Sequence, residues 1–455
     1  MQIILKGKKS IKKLLQGRVK VDTLYRPSIF LLFKEIEDGL LICNTMTGEM
    51  LLLNSFEAAL LSQLPMYYSS SFLPLINAGL IVPVNNNEIQ TSEQFRILLL
   101  RRCELKKHIT RFNILPTTSC NARCFYCYES GIQHIQMSEE TASQVVKFIK
   151  ANHGGNKVDL CWFGGEPMLG KQRIDQICRE LEENRIEFES EMVSNAYLFD
   201  SELVKHAQKE WKLKSIQITL DGTEKIYNQT KSYVNPVKSP FQKVKKNIES
   251  FMEVGIHVDI RLNLDWHNAE DLHRLIEELS VSYKDRNTMT VFVRRLNEGT
   301  GFEPIQLNQS EKDYLDQKLI DLQELLETRG WPQYKVTHLP NLSINSCMAD
   351  DPYNIQCTPD GILSKCEDQI FNHSVGTLES GVVDREEVLW WQQKQIFEGC
   401  EKCSLYPSCR RLLRNCPVTS KCSEYEKSKM IEKYYEIMVE EYHKWKHTSL
   451  REQLT

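Results

Sequence analysis

The stretch "FNILPTTSCNARCFYCYES", residues 112–130, decides how this chain is read. A short apolar run of strand type leads into Cys120, Cys124 and Cys127, with gaps of three and then two residues and Tyr126 just before the last thiol. Asn121, Arg123 and Glu129 leave the thiols no apolar face to share, so a packing role fails. Zinc normally takes four ligands, and the fourth would have to come from far along the chain. A [4Fe–4S] cluster held by three thiolates instead keeps one iron open for a substrate or cofactor. Spacing alone leaves both metal readings standing.

The rest of the chain narrows the setting. Its 455 residues, 41% hydrophobic, have room for two or three domains. A formal net charge of −4 gives no reason to expect nucleic acid or an anionic membrane as a partner. No run approaches the roughly 18 apolar residues of a membrane span. The opening "MQIILKGKKSIKKLLQGRVK" lacks the long apolar core and small-residue cleavage site of a signal peptide. A cytoplasmic location follows as the expectation, and disulfides are rare there. Of the 15 cysteines, eight fall between Cys347 and Cys422 and three in the opening motif. Such clustering favours metal ligation. Cys43, Cys103, Cys161 and Cys178 stand apart and read as small buried hydrophobes or bystanders.

Outward from the motif, residues 111 to about 330 alternate strand and helix patterns. "FNIL", "VDLCWF", "FESEMV", "SIQITL", "HVDIRLNL" and "TMTVFV" are the strand candidates. "SEETASQVVKFIKANH", "QRIDQICRELEEN", "SELVKHAQKEW", "FQKVKKNIESFMEVG" and "AEDLHRLIEELSVSY" are amphipathic helices. About six alternations predict an α/β fold, a partial (β/α)6 TIM-like barrel over 109–335. Ligands then gather at the C-terminal ends of its strands, as in complete barrels. Residues 1–108 predict a small winged-helix-like α+β domain. "SIFLLFK", "GLLIC" and "EMLLLN" form a meander, followed by helices capped at Asn54 or Ser55 and stopped at Gly79. A plain cap on the main domain is the alternative. Residues 336–430 have few periodic runs, so metal must supply much of their folding energy. Residues 431–455 form a charged amphipathic C-terminal helix.

CX3CX2C with Tyr126 closely resembles the signature of the radical S-adenosylmethionine (SAM) superfamily. The resemblance implies that Cys120, Cys124 and Cys127 hold a cluster whose open iron chelates the amino and carboxylate groups of SAM. One electron then cleaves the sulfonium to a 5′-deoxyadenosyl radical, which abstracts a substrate hydrogen. "CWFGGEP" puts Gly164, Gly165, Glu166 and Pro167 at the end of the second strand, like the family's GGEP. The glycines let backbone come close to a ligand, and Glu166 accepts from an ammonium group. A surface turn is the plain alternative. Ser194 and Asn195 of "VSNA" are implied ribose contacts, although Ala196 stands where relatives often carry glycine. "ITLDG" resembles Ser-Leu-Asp-Gly, with Thr219 keeping the hydroxyl and Asp221 either meeting substrate or capping a turn. "YNQTK", 227–231, replaces the usual His-Asp-x-x-Arg and receives no role. Arg261 and Asn263 lie where relatives often place polar cofactor contacts, though an outward-facing strand residue fits as well.

The second cysteine field resembles the SPASM extension, which carries two auxiliary [4Fe–4S] clusters in peptide- and protein-modifying radical SAM enzymes. By that analogy Cys347, Cys357, Cys366 and Cys416 hold one cluster and Cys400, Cys403, Cys409 and Cys422 the other. "RRLLRN" puts six residues before Cys416 where relatives usually have three, and zinc ribbons are the alternative. In sulfatase-maturating relatives the acid after the third cysteine serves as base. Glu367 stands there, with Asp368 beside it, and a solvated loop acid is the alternative. The N-terminal pattern resembles the PqqD-like recognition element, which binds the leader of a ribosomally synthesised (RiPP) precursor by strand addition, here at the edge "EMLLLN". The resemblance as a whole implies a SAM-dependent oxidoreductase with three [4Fe–4S] clusters, maturing a precursor peptide by a Cys-to-carbon thioether. A flavodoxin or ferredoxin would donate electrons. Oxidation of Cys or Ser to formylglycine, and an iron–sulfur winged-helix regulator, are the alternatives.

Overall fold

The computed structural model describes every residue except 9–10, 12–20, 107, 285–286, 297–305, 334–337, 370–371, 417–421 and 455. The chain forms two compact units, one of residues 1–105, 334–351 and 391–455, the other of 106–333 and 352–390. The cysteine-rich segment is therefore shared between them.

In the first unit, β1 (Gln2–Leu5), β3 (Leu31–Ile36), β4 (Gly39–Asn44) and β5 (Glu49–Leu53) form a sheet ordered β1-β5-β4-β3. A smaller sheet joins β2 (Leu24–Pro27) to β6 (Met66–Tyr67) and β7 (Ile81–Pro83). Helices α1 (Ser55–Ser62), α2 (Leu73–Asn77) and α3 (Glu88–Glu104) complete this part. Asn54 and Glu57 make a reciprocal capping box at the start of α1. One face of the larger sheet sets Leu31, Ile42, Leu51 and Leu53 against Leu61, Phe72 and Leu75. The other sets Leu32, Leu41, Cys43, Met50 and Leu52 against Met438 and Tyr442 of the C-terminal helix, Glu424–Leu454.

The expected meander β3-β4-β5 is present, but "EMLLLN" is no edge. β4 pairs with one side of β5, and β1 pairs antiparallel with the other, Ile3 opposite Leu51. The reason is visible in the residues: every residue of β5 is buried, because both faces of the strand are covered. A strand apolar on successive residues belongs inside a sheet.

In the second unit, β8 (Arg111–Ile114), β9 (Val158–Trp162), β10 (Phe188–Val193), β11 (Leu213–Thr219), β12 (His257–Leu264) and β13 (Met289–Arg295) run parallel in consecutive order. Between and after them lie α4 (Glu139–Asn152), α5 (Lys171–Glu183), α6 (Ser201–Glu210), α7 (Glu224–Lys231), α8 (Pro240–Glu253), α9 (Ala269–Ser282) and α10 (Gln309–Thr328). All six predicted strands and five predicted helices are there, and α7 and α10 are additional. β14 (Asn354–Cys357) then joins β8 in parallel and carries β15 (Ile362–Ser364), β16 (Ser374–Thr377) and β17 (Gly381–Val382), giving a ten-stranded sheet.

Alternation along the strands separates core from site. Val158, Leu160 and Trp162 enter the hydrophobic core, as do Val258, Ile260, Leu262 and Leu264. Asp159 and Cys161, and Asp259, Arg261 and Asn263, therefore lie on the opposite face. Among the described residues, no helix is long and apolar enough to cross a membrane.

Candidate active site

The loop that carries the three thiols is pinned by the turn after β9. Glu166 N donates to Ser119 O at 2.8 Å, and Gly165 N to Thr117 O at 3.3 Å. Gly164, at φ +112°, would place a Cβ 2.3 Å from Thr117 O, and Gly165 one 2.4 Å from Ser119 O. The two glycines thus make room for the chain's own backbone just before Cys120. Thr118 fixes the other side of this strap, its N–H meeting Ile135 O at 3.0 Å and its hydroxyl meeting Gln133 O at 2.6 Å.

None of Cys120, Cys124 and Cys127 is in a disulfide, and all three are half-buried. Burial, with Glu166 nearby, pushes the Cys120 thiol up to about 12. Burial also pushes Cys127 to about 11 and raises Cys124, against which Lys231 acts. Such thiols keep their protons until a cation replaces them, so metal loading must release protons.

Glu166 is 1% exposed and faces three donors: Ser194 Oγ at 2.8 Å, Asn195 N at 2.9 Å and Met168 N at 3.1 Å. Burial raises its pKa to about 7 despite these bonds. Asn195 Nδ2 in turn donates to Asn121 Oδ1 at 2.7 Å, which ties the end of β10 to the cysteine loop. Ala196, the departure from glycine, adopts φ +58° all the same. Thr219 stands half-buried, in register with Arg261 on β12.

The residue that sequence reasoning left without a role is Lys231. Its Nζ lies 2.9 Å from Asp221 Oδ2 and 3.0 Å from Tyr126 OH. Tyr126 OH donates to Asp221 at 2.9 and 3.0 Å, and Asn263 Nδ2 to Asp221 Oδ1 at 3.1 Å. Arg261 Nε donates to Asn263 Oδ1 at 2.9 Å. Lys231 O also accepts from Arg123 N at 2.9 Å, inside the motif. Burial alone would lower the Lys231 pKa, but Asp221 and the groups around it hold it well above the usual lysine value. The available signal was positional, since Lys231 occupies the arginine place of the usual His-Asp-x-x-Arg.

A second group forms around Glu367 and Asp368, on the turn Glu367–Gln369. Burial raises the Glu367 pKa, Arg261 opposes it and Asp368 adds to it. Burial also raises Asp368. Glu129, two residues after Cys127, is pushed to about 8 by burial and then by Glu367. Its Oε1 is buried without a partner among the described residues. Glu129 is thus a further acid that the motif held in plain view.

In the first unit, Cys400, Cys403 and Cys409 pack against a cluster containing Phe30, Tyr406 and Leu412. Burial raises Cys422, whose surroundings include Arg411, Cys409 and Cys403. A cavity of about 630 Å³ is lined by Cys403, Cys409 and Cys422 together with Arg410, Arg411 and Lys427. Cys347 and Cys416 also belong to this unit, while Cys357 and Cys366 belong to the other. Among the described residues, no three His, Cys, Asp or Glu converge for a single metal ion. The fit to iron–sulfur chemistry rests instead on thiols outside any disulfide and on orphaned buried atoms such as Asn121 Nδ2 and Glu129 Oε1.

Residues 114–279 match the radical SAM superfamily model. The probable GTP 3′,8-cyclase of Methanococcus maripaludis (strain C6) is 27% identical over 154 residues, 33% of this chain and 48% of that protein. The chain spans about half the length of the curated relatives it matches first. Native anSMEcpe with bound AdoMet and Cp18Cys peptide superposes with a TM-score of 0.54 at 16% identity, over 73% of this chain and 98% of that one. Streptococcus suis SuiB bound to precursor peptide SuiA does so with a TM-score of 0.50 at 16% identity, over 85% and 95%. At these identities what is shared is the fold.

Proposed function

Because residues 114–279 form a radical SAM domain, we propose that this enzyme matures a ribosomally made peptide by joining a cysteine sulfur to a carbon centre. One observation carries the reading: beside the third thiol of the SAM motif, burial and then Glu367 raise the proton affinity of Glu129, while burial and Asp368 raise that of Glu367 against the pull of Arg261. Two carboxyl groups whose proton affinity is raised suit a reaction in which substrate loses a proton as well as a hydrogen atom. The peptides named with anSMEcpe and SuiB support the substrate class.

Cys120, Cys124 and Cys127 would hold the SAM-binding cluster, and the eight thiols between Cys347 and Cys422 two auxiliary ones. When bound, these groups and SAM supply the one-electron cleavage, the hydrogen abstraction and an acceptor for a second electron. The protein's own part is orientation and proton handling. Glu166, Ser194 and Asn195 present acceptors and donors to the amino acid and ribose ends of SAM. Tyr126, Asp221 and Lys231 lock the thiol loop to the end of β11. Thr219 and Arg261 line the same side of the sheet. Glu367, with Asp368 beside it, takes the proton of the substrate thiol. Each link then removes two hydrogens from the peptide, one as an atom and one as a proton with its electron.

Residues 1–108 would bind the leader by strand addition. The partner of β5 being β1, the outer edges of that sheet are β1 and β3.

The test is anaerobic reconstitution, together with coexpression with a small cysteine-rich precursor peptide. Expected are about twelve iron per chain, 5′-deoxyadenosine on reduction with dithionite, and a peptide lighter by two hydrogens per link. A formylglycine at a single Cys or Ser, or a cyclised nucleotide as product, would overturn the cross-linking reading.

A further inference from the structure

Helix α3 buries a charge that its surroundings only partly answer. Arg96 is 1% exposed; its Nε pairs with Glu93 at 2.9 Å, and its Nη2 donates to Gln392 O at 2.8 Å. Nη1 is buried with no partner among the described residues. Leaving such a donor idle is costly, the more so on a charged group, so something else should meet it. It is not alone. Ser92 Oγ, one turn earlier on α3, is also buried and unpartnered among the described residues, while Tyr406 OH, buried too, faces Glu93 and Arg96.

Thiols belong to the cluster that α3 packs into. Tyr406 sits inside the cysteine loop, its N–H donating to Cys403 O at 3.1 Å and its carbonyl accepting from Cys409 N at 3.1 Å. Phe95 and Leu99, flanking Arg96 on α3, pack into the same cluster as Cys400, Cys403 and Cys409. Lys394 Nζ lies 3.3 Å from Cys409 O. Of the anions here, Glu93 pairs with Arg96 and Asp350 already accepts from Ser346 N and Cys347 N. Arg411, which lines the cavity with Cys403, Cys409 and Cys422, is answered by Glu426 at 2.7 Å.

We infer that Arg96 is a positioning residue for the auxiliary cluster of Cys400, Cys403, Cys409 and Cys422, supplying a buried positive charge and an N–H to its sulfurs. The inference rests on the auxiliary-cluster reading above. Adding an electron makes a thiolate-bound cluster more negative by one charge. A nearby cation and a hydrogen bond to sulfur both favour the reduced form. Arg96 thereby makes this cluster a better electron acceptor, from a helix in the N-terminal part of the chain.

The experiment is a redox titration of the full, reconstituted chain followed by electron paramagnetic resonance, with iron counted in the same samples. Arg96→Gln should retain about twelve iron while the reduced-to-oxidised ratio of one auxiliary signal falls about tenfold at fixed poise, equivalent to 59 mV for a one-electron couple. The signal of the SAM-binding cluster should not move, and Arg96→Lys should recover much of the ratio. Tyr406→Phe, which removes a buried hydroxyl facing Glu93 and Arg96, should shift the same signal in the same direction and serves if Arg96→Gln does not fold. Full iron with an unmoved ratio overturns the assignment of Arg96 alone. A wild-type chain holding only about four iron removes the group that Arg96 is argued to face, and the auxiliary-cluster reading with it.

Discussion

Lys231 Nζ lies 2.9 Å from Asp221 Oδ2, with only 4% and 1% of the two side chains exposed. The pair joins α7 to the end of β11, and Tyr126 brings the thiol loop into the same network. Removing one partner strands the other charge in the interior. Lys231→Met should therefore cost about 3–5 kcal/mol in urea unfolding of the metal-free chain. Asp221→Asn combined with Lys231→Met should recover much of that loss. A single substitution no worse than the double would show that the pair does not hold the loop.

Gly165→Ala tests the strap differently. The added Cβ would meet Ser119 O at 2.4 Å and Thr118 O at 2.6 Å, both backbone atoms that cannot swing aside. The chain should fold, since the turn lies outside the hydrophobic core, but the loop before Cys120 must shift. The expected readout is about four fewer iron per chain and loss of 5′-deoxyadenosine formation. Full iron in the variant would mean that the strap has slack.

How much of this was readable beforehand follows from which residues carry periodicity. The six parallel strands announce themselves because each alternates apolar and polar residues, as in Val158, Leu160 and Trp162. The thiol trio and the turn at Gly164–Glu166 announce themselves by spacing. Helix α7 does not: it has eight residues and buries only Tyr227 and Lys231, so no apolar stripe marks it. Helix α3 hides for a related reason, because Glu88, Ser92 and Arg96 share its buried side with Ile89 and Leu100. Helix α10 did carry a signal, a capping box of Asn308 and Glu311 followed by buried Leu315, Leu322 and Leu326. The edge assigned to "EMLLLN" fails because strand order is a long-range property, and Gln2–Leu5 is too short to show a period.

Ala196 offers a test of strain. It is fully buried at φ +58°, where a side chain normally costs about 1–2 kcal/mol. Ala196→Gly relieves that strain but gives up a buried methyl worth about 0.8 kcal/mol, so its melting temperature should stay close to that of the parent. Ala196→Val adds a β-branched side chain at positive φ in a closed site and should lose about 2 kcal/mol or more. Similar stability for all three would show that the turn relaxes away from this conformation.

Asp175 gives a pH dependence with a definite sign. Burial alone would raise its pKa, but bonds from Lys171 at 2.8 Å, His206 at 2.7 Å and Trp211 at 2.7 Å hold it below the usual 3.8. A depressed carboxylate stabilises the fold above its unfolded pKa, and that stability is lost as pH falls through the folded one. The side chain is 30% exposed, so the contribution is discounted to roughly 1 kcal/mol or less. Asp175→Asn should therefore be less stable than the parent at neutral pH, with the gap closing as pH falls from the unfolded value of 3.8 through the lower folded one. A gap that stays constant down to strong acid would assign the loss to packing against Trp211.

Glu367→Gln separates the two halves of the proposed chemistry. The carboxyl is half-buried beside Asp368, its proton held by burial and by that neighbour against the pull of Arg261. Removing its charge also relieves Glu129, whose own raised pKa traces first to burial and then to Glu367. The variant should therefore be no less stable than the parent, and its SAM cleavage should be intact because none of the groups around Glu166 has changed. What it should lose is the proton acceptor, so 5′-deoxyadenosine forms at the parental rate while cross-linked peptide falls by about 100-fold or more. Glu129→Gln should show a smaller loss of the same kind, since its unpartnered oxygen can accept only a proton that Glu367 does not take. If cross-linked product instead appears in parental yield from Glu367→Gln, the base lies elsewhere, and Asp368 is the next carboxylate to substitute.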